Sequence, residues 1–162
     1  MNDAHYHLVV NHFPIIGTIL GLGILITGFV LKSNTVKNVS YVLFIVAAIF
    51  AALSVKTGGM AAGVVKNMPD IGREIIRKHV EMAENFALIL YVLALISLLG
   101  LLANIKNHSK AKLVSFVVLV IALVAVFFAQ QVGTSGGEIR HTEIRKDYKA
   151  TNTNTQERGD GD

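Results

Sequence analysis

The chain contains no cysteine among its 162 residues, and this absence removes several kinds of chemistry at once. Without thiols there is no disulfide, no thiolate metal ligand and no iron–sulfur cluster. The C-x-x-C-H motif that attaches c-type haem covalently is excluded for the same reason. Any haem or metal ion would therefore have to be held by other side chains and without a covalent link.

Charged residues are also scarce, at 16% of the chain, whereas soluble domains contain about 25%. Hydrophobic residues make up 52%, and the formal net charge is only +4. This composition indicates that lipid, rather than water, surrounds most of the side chains. We assign the modest positive charge to lysines and arginines at the membrane surface, and we expect no nucleic-acid binding.

Four long apolar runs predict four transmembrane helices, since about 20 apolar residues are needed to cross a bilayer. The runs are continuous, whereas a transmembrane β-strand alternates apolar and polar side chains. The expected fold class is all-α, an integral membrane four-helix bundle in a single domain (1–149), followed by a polar, disordered tail (150–162). The expected spans are 13–31, 39–65, 80–104 and 112–133.

Basic residues give an expected orientation. Two loops on one side of this topology are basic and contain no acidic residue, which predicts that they face the cytoplasm and that both termini are periplasmic. The loop 66–78 on the other side is also basic, but acidic residues are interspersed there. We therefore expect a multi-pass protein of the bacterial inner (cytoplasmic) membrane. The lysines without acidic neighbours are Lys32, Lys37, Lys106, Lys110 and Lys112.

The chain also has the pattern of an internal duplication. A histidine, four residues and a second ligand-type residue open span one and recur before span three, and a hydroxyl residue followed by two glycines comes late in spans two and four. Two helical hairpins in the same orientation would give this arrangement. The matching elements are His7, His12 and Thr57-Gly58-Gly59 in the first half, and His79, Glu84 and Ser135-Gly136-Gly137 in the second.

Histidines collect on the side of the membrane where both termini lie. Imidazoles carried by separate helices at similar depth are what a bis-histidine haem site requires, and a low-dielectric bundle shields the cofactor from water. The same side chains could instead bind a copper or zinc ion. The candidate haem-site residues are His12, His79 and His141 as ligands, with Lys56, Glu84 and Glu138 for the propionates or for proton movement; the candidate metal ligands are His7, His12, His79 and His141.

Two of these candidates leave alternatives open. His7 and His12 are five residues apart, about 140° around a helix, so either the helix starts between them or they serve different sites. Lys56 either pairs with Glu84 or Glu138 inside the bilayer, or extends to the interface from a span that ends near Val55.

The sequence from His7 to Ile15 is similar to H-P-x-x-x-H-F-P-I, the opening signature of an uncharacterised bacterial family of four-helix membrane proteins. That family has a further histidine at the start of span three, which His79 resembles. Its fourth span ends in G-x-x-G-G-E-x-x-x-x-H-G, and Gly133 to His141 is similar to this pattern. Leu8 stands where the family often has proline, the final histidine follows its glutamate sooner, and Thr142 replaces the last glycine.

The resemblance covers about residues 5–145. Members of the family are sometimes fused to cytochrome c-type domains or found beside them. The resemblance therefore implies a respiratory or redox setting, with a cytochrome c-type or other redox partner, but it names no activity.

Three functions are compatible with these observations. The first is a membrane electron-transfer module, a b-type cytochrome that binds haem b through histidines at one end of the bundle. The second is a non-catalytic membrane subunit or anchor for a redox partner, whose polar residues only join helices. The third is a metal-binding or transport protein, although transport through four helices would require a homo-oligomer. We do not expect the chain to be an enzyme by itself.

Overall fold

The computed structural model describes residues 2–66 and 71–145, and its secondary structure in this part of the chain is helical throughout. Four stretches of helix are long and apolar enough to cross a membrane: α1 with α2, α3, α4 and α5. The predicted all-α fold class and the four spans are confirmed, whereas the predicted tail lies outside the described residues. The elements are α1 (Asp3–Val10), α2 (His12–Val30), α3 (Asn34–Val65), α4 (Arg73–Ile105), α5 (Ala111–Arg140) and a 3-10 turn (Thr142–Ile144).

The helices form an up-down-up-down bundle. Helix α2 packs against α3 and α5, α3 packs against α4, and α4 packs against α5. Consecutive helices are therefore antiparallel neighbours, as expected for short connections. One end of the bundle, here called the histidine end, holds α1, the first turns of α4 and the last turns of α3 and α5. The opposite lysine end holds the loops 31–33 and 106–110 and the helix turns beside them.

Large apolar side chains cover the outside of the bundle, where lipid would contact them. Leu88, Leu95 and Phe127 are each about 60% exposed. A soluble monomer rarely exposes such continuous apolar surface. Helices of 30 to 33 residues are about 45–50 Å long, so they extend past a hydrocarbon layer of about 30 Å. The polar ends of the helices therefore lie at or beyond the membrane interface.

A break at Asn11 separates α1 from α2. Pro14 has no backbone N–H, so the carbonyl of Val10 loses the donor that a continuous helix would supply. The Ser54 hydroxyl of α3 donates to this carbonyl instead, at 3.2 Å. Of the two alternatives for His7 and His12, the structure shows the first, because a new helix begins at His12.

Buried positions repeat between the two hairpins, which supports the internal duplication. Five buried residues of α2 have buried counterparts in α4, each 72 positions later in the chain. Five buried residues of α3 have buried counterparts in α5, each 78 positions later. The first set pairs Pro14, Thr18, Gly21, Leu25 and Gly28 with Phe86, Leu90, Leu93, Ser97 and Gly100. The second pairs Lys37, Ser40, Phe44, Ala47 and Ala51 with Ser115, Val118, Ala122, Ala125 and Ala129.

Glycines of α2 allow α3 to approach closely. A Cβ on Gly21 would lie 2.5 Å from a ring carbon of Phe44, and one on Gly28 would lie 2.9 Å from the backbone nitrogen of Lys37. Small residues serve this purpose where helices pack in lipid. At Gly59 and Gly63, by contrast, nothing in the described part of the chain lies within 4 Å, so that G-x-x-x-G spacing joins no described helices.

Candidate functional site

The imidazole of His7 lies against the end of α3. Its Nδ1 is 3.2 Å from the Thr57 hydroxyl oxygen. The ring also lies over Gly58, where a Cβ would be 3.1 Å from the His7 Cε1 atom. The ring position therefore depends on two adjacent residues of α3. Thr57 provides a hydroxyl group for the ring nitrogen, and Gly58, which has no side chain, leaves space for the ring.

The imidazole of His79 is held in the same way by the second hairpin. Its Nδ1 is 2.9 Å from the hydroxyl oxygen of Ser135 on α5. A Cβ on Gly136 would lie 3.1 Å from the His79 Cε1 atom. His79 follows His7 by 72 residues, and the hydroxyl–glycine pair of α5 follows that of α3 by 78. These are the offsets that relate the buried positions, so the two histidines are equivalent in the duplicated fold.

Each of the two hydroxyl groups has a backbone carbonyl of its own helix to donate to, which favours one tautomer of each ring. The Thr57 hydroxyl donates its only proton to the Leu53 carbonyl at 2.9 Å or to the neighbouring Ser54 carbonyl at 3.2 Å. The Ser135 hydroxyl donates to the carbonyl of Val132 at 3.0 Å. A hydroxyl that donates to its own helix accepts from the histidine, and from this we infer that each ring donates from Nδ1–H.

In the neutral tautomer that donates from Nδ1–H, the lone pair is on Nε2. Iron, copper and zinc bind this nitrogen, and a hydrogen bond from the opposite N–H fixes the tautomer and orients the ring. His7 and His79 are both half-buried, and their charges would interact with each other. The bundle therefore holds two equivalent imidazoles, one from each hairpin, at the same end. We call His7, Thr57, His79 and Ser135 the paired-histidine site.

His12 lies outside this pair. It is exposed and borders an apolar groove of about 250 Å³ between α2 and α3, beside the stacked rings of Phe13 and Phe50. It interacts electrostatically with His7. A new helix begins after Asn11, and this accounts for the placement because it turns His12 away from the face that His7 uses.

His141 ends α5 and is exposed as well. Its Nδ1 is 2.9 Å from a carboxylate oxygen of Glu143. Hydrogen bonds from the Glu143 backbone N–H and from His141 lower the pKa of this carboxyl group. Both groups lie past the end of the membrane-spanning helix, so the structure does not bring His141 to the paired-histidine site.

The remaining candidates form no charge cluster. Lys56 and Glu84 are exposed and Glu138 is half-buried, and in the described ranges 2–66 and 71–145 no ion pair joins them. Exposure of Lys56 agrees with the alternative in which it extends to the interface. The backbone carbonyl of Glu138 accepts a hydrogen bond from Arg145 Nε at 2.8 Å, which satisfies one of the carbonyls at the end of α5.

A site for a lone metal ion does not form among the described residues. No three histidine, aspartate or glutamate side chains there come together as ligands. Zinc sites use at least three protein ligands, so the four predicted metal ligands do not assemble into one in residues 2–66 and 71–145. The geometry instead offers two imidazoles, which is the number that a bis-histidine haem uses.

The hydroxyl and glycine partners of the histidines are not predicted from the sequence as part of a site. Thr57-Gly58 and Ser135-Gly136 were identified only as repeated elements. Their signal was the repeat itself, because each hairpin contains one early histidine and one late hydroxyl–glycine pair. In an antiparallel hairpin, residues early in the first helix and late in the second meet at the same end.

Comparison with known proteins gives no match: no family model, no curated protein and no solved structure is similar to this chain. The resemblance to the uncharacterised four-helix family therefore stays a prediction that rests on its motifs. The site has to be interpreted from its own geometry.

Proposed function

We propose that this multi-pass membrane protein is an electron-transfer module that binds haem b through His7 and His79. The observation that supports the proposal is the matching contact of Nδ1 with a hydroxyl oxygen in two equivalent histidines, which would leave Nε2 of each ring to bind iron. His79 was a predicted haem ligand. His7, predicted only as a metal ligand, replaces His12 and His141, since His12 is exposed beside the site and His141 lies past the end of α5.

The donor set favours haem over a lone copper or zinc ion. His7 and His79 would hold the haem iron through their imidazole nitrogens, and a bis-histidine haem needs no further ligand from the protein. A bare ion would need further protein ligands, and the described residues offer no third histidine or carboxylate in place. With no cysteine in the chain, the haem would be held without a covalent link.

Bound haem would supply a reversible one-electron change at its iron. The chain's own residues would set the conditions for it: Thr57 and Ser135 fix the orientation of the ligands, and the apolar bundle excludes water. We place the histidine end on the periplasmic side, where a cytochrome c-type partner could exchange the electron, and the lysine end in the cytoplasm. A bacterial inner membrane is the location that this arrangement requires.

The test is the absorption spectrum of detergent-purified protein from haem-supplemented cells, oxidised and then reduced with dithionite. We expect a Soret band that shifts on reduction and a sharp α-band. His7→Ala and His79→Ala should each lose or alter these bands, whereas His108→Ala, at the lysine end, should leave them unchanged. A featureless spectrum from folded wild-type protein would exclude the haem proposal.

A second candidate function is a non-catalytic membrane anchor, and the same hydrogen bonds favour it. The bonds of His7 to α3 and of His79 to α5 join the two helices of each hairpin, and such bonds in lipid stabilise by about 0.6–2 kcal/mol. On this alternative, the alanine variants lower the unfolding temperature, but the wild-type protein has no haem spectrum for them to change.

A further inference from the structure

Lys37 is an unusual residue for the interior of this fold. It lies in the first turn of α3 at the lysine end, and only 6% of its surface is exposed. Gly28 of α2 provides the space, because a Cβ there would lie 2.6 Å from the Lys37 Cγ atom. The Lys37 ammonium nitrogen lies 5.4 Å from the centroid of the Phe29 ring, which is within the range of a cation–π contact.

No carboxylate neutralises this ammonium group within the described part of the chain. Lysine is rarely buried without a partner, since removing an unpaired charge from water is costly. The topology instead places every described acidic residue at the histidine end, away from Lys37. The acids concerned are Asp3, Glu74, Glu81, Glu84, Glu138 and Glu143.

Lys112, at the start of α5, adds a second positive charge that interacts electrostatically with Lys37. Lys37 lies against Gly28 and Phe29 of α2, and α2 packs directly against α5, the helix that carries Lys112. Two ammonium groups at this end of the bundle, with no acid beside them in the described residues, favour an anion such as a phosphate group.

The position along the bundle indicates which phosphate. Lys37 and Lys112 lie within one turn of the loops at their end, which is the level of the lipid headgroups when the apolar parts of the helices occupy the hydrocarbon layer. Basic pockets between transmembrane helices bind the headgroups of anionic lipids. We propose that Lys37 and Lys112 bind the phosphate of an anionic phospholipid at the lysine end. This site is independent of the haem proposal.

The experiment measures lipid binding to the full-length protein in detergent, by native mass spectrometry and by the shift in unfolding temperature on adding lipid. Phosphatidylglycerol should bind and raise the unfolding temperature more than phosphatidylcholine does. Lys37→Met should weaken phosphatidylglycerol binding by about fivefold, the effect of one lysine near an anionic surface. Lys66→Met is the matched control, because Lys66 is an exposed lysine at the other end of α3.

A second variant keeps the test decisive if Lys37→Met fails to fold. Lys112 is exposed, so Lys112→Met should fold and still weaken phosphatidylglycerol binding by a similar factor. Equal binding of both lipids, or equal losses in Lys112→Met and Lys66→Met, would overturn the proposal. Inorganic phosphate that reproduces the full shift in unfolding temperature would overturn the lipid as the source of the anion.

Discussion

The two ends of the bundle differ in how closely the hairpins still match. At the histidine end the equivalent residues keep their chemistry: His7 corresponds to His79, and the hydroxyl–glycine pair of α3 corresponds to that of α5. At the lysine end, residues related by the same offset of 78 positions differ in chemistry, since Lys37 corresponds to Ser115. The hairpins therefore match more closely in side-chain chemistry at the paired-histidine site than at the position of Lys37.

The lysine end has instead become an asymmetric polar core. The Tyr41 hydroxyl donates to Ser115 Oγ at 2.8 Å, and Asn104 Nδ2 donates to Asn38 Oδ1 at 2.7 Å. The Tyr41 ring fills the space over Gly100, where a Cβ would lie 3.0 Å from it. Gly28, the equivalent glycine of α2, accommodates a lysine. The same glycine position therefore admits different partners in the two hairpins.

The largest expected effect on stability comes from filling the glycine position at the lysine end. Gly28→Ala would place a methyl group 2.9 Å from the backbone nitrogen of Lys37, so α2 and α3 must separate. We expect a loss of about 1–3 kcal/mol in the free energy of unfolding. Gly23→Ala is the control, because nothing lies within 4 Å of that position. Unfolding in detergent measures both, and equal stabilities would contradict the close packing.

The histidine end should respond less strongly to the same change. In Gly136→Ala the new methyl group would lie 3.1 Å from the His79 ring. This ring is a side chain that is able to move by a few tenths of an ångström. We expect a smaller loss of stability than for Gly28→Ala, together with an altered environment of the ring, which the chemical shifts of His79 would report. An effect as large as that of Gly28→Ala would mean that the ring position is rigid.

Removing a single hydroxyl group should change the stability of the protein in different directions at the two ends. Ser135→Ala leaves the Nδ1–H of half-buried His79 without an acceptor and should cost about 1 kcal/mol. Ser97 is fully buried, and its hydroxyl oxygen has no hydrogen-bond partner in residues 2–66 and 71–145. Ser97→Ala should therefore leave the protein as stable as the wild type or more so. Denaturation curves compare the two, and a loss of stability in Ser97→Ala would reveal a partner such as a buried water.

The smallest effect concerns the exposed pair at the end of α5. The pKa of Glu143 is lowered in the folded protein, so its contribution to stability is present above the usual carboxyl pKa and is lost as the pH falls through the lowered one. Solvent screens the pair, and Glu143→Gln should hardly change the unfolding temperature at neutral pH. Any difference from the wild type should vanish in acid. A difference that grows below pH 4 would contradict this sign.

The sequence was sufficient to predict the spans and the four-helix bundle, because continuous apolar runs of this length have few other solutions in lipid. The helices are longer than the predicted spans. Helix α4 begins at Arg73, seven residues before the third span, and α5 continues to Arg140, seven residues past the end of the fourth span. These turns are polar, so hydropathy does not detect them. Backbone hydrogen bonds extend a helix beyond the apolar layer without requiring apolar side chains.

The site was harder to predict than the fold. The sequence predicts His79 as a haem ligand, which our proposal keeps, and it favours His12 over His7 in the first hairpin, where our proposal uses His7. Which of the two histidines lies against α3 depends on the break at Asn11. There Pro14 interrupts the backbone hydrogen bonds, and the Ser54 hydroxyl supplies the missing donor. The hydroxyl partners are 50 and 56 residues away from their histidines, and only the packing of each hairpin makes them neighbours.

The most direct test of the paired-histidine site is electron paramagnetic resonance of the oxidised, haem-loaded protein. We expect the low-spin ferric signal of an iron with two imidazole ligands. Because the ligands are equivalent residues of the two hairpins, His7→Ala and His79→Ala should each abolish this signal, whereas His12→Ala and His141→Ala should retain it. A low-spin signal that survives in either His7→Ala or His79→Ala, or folded wild-type protein that takes up no haem, would contradict the assignment.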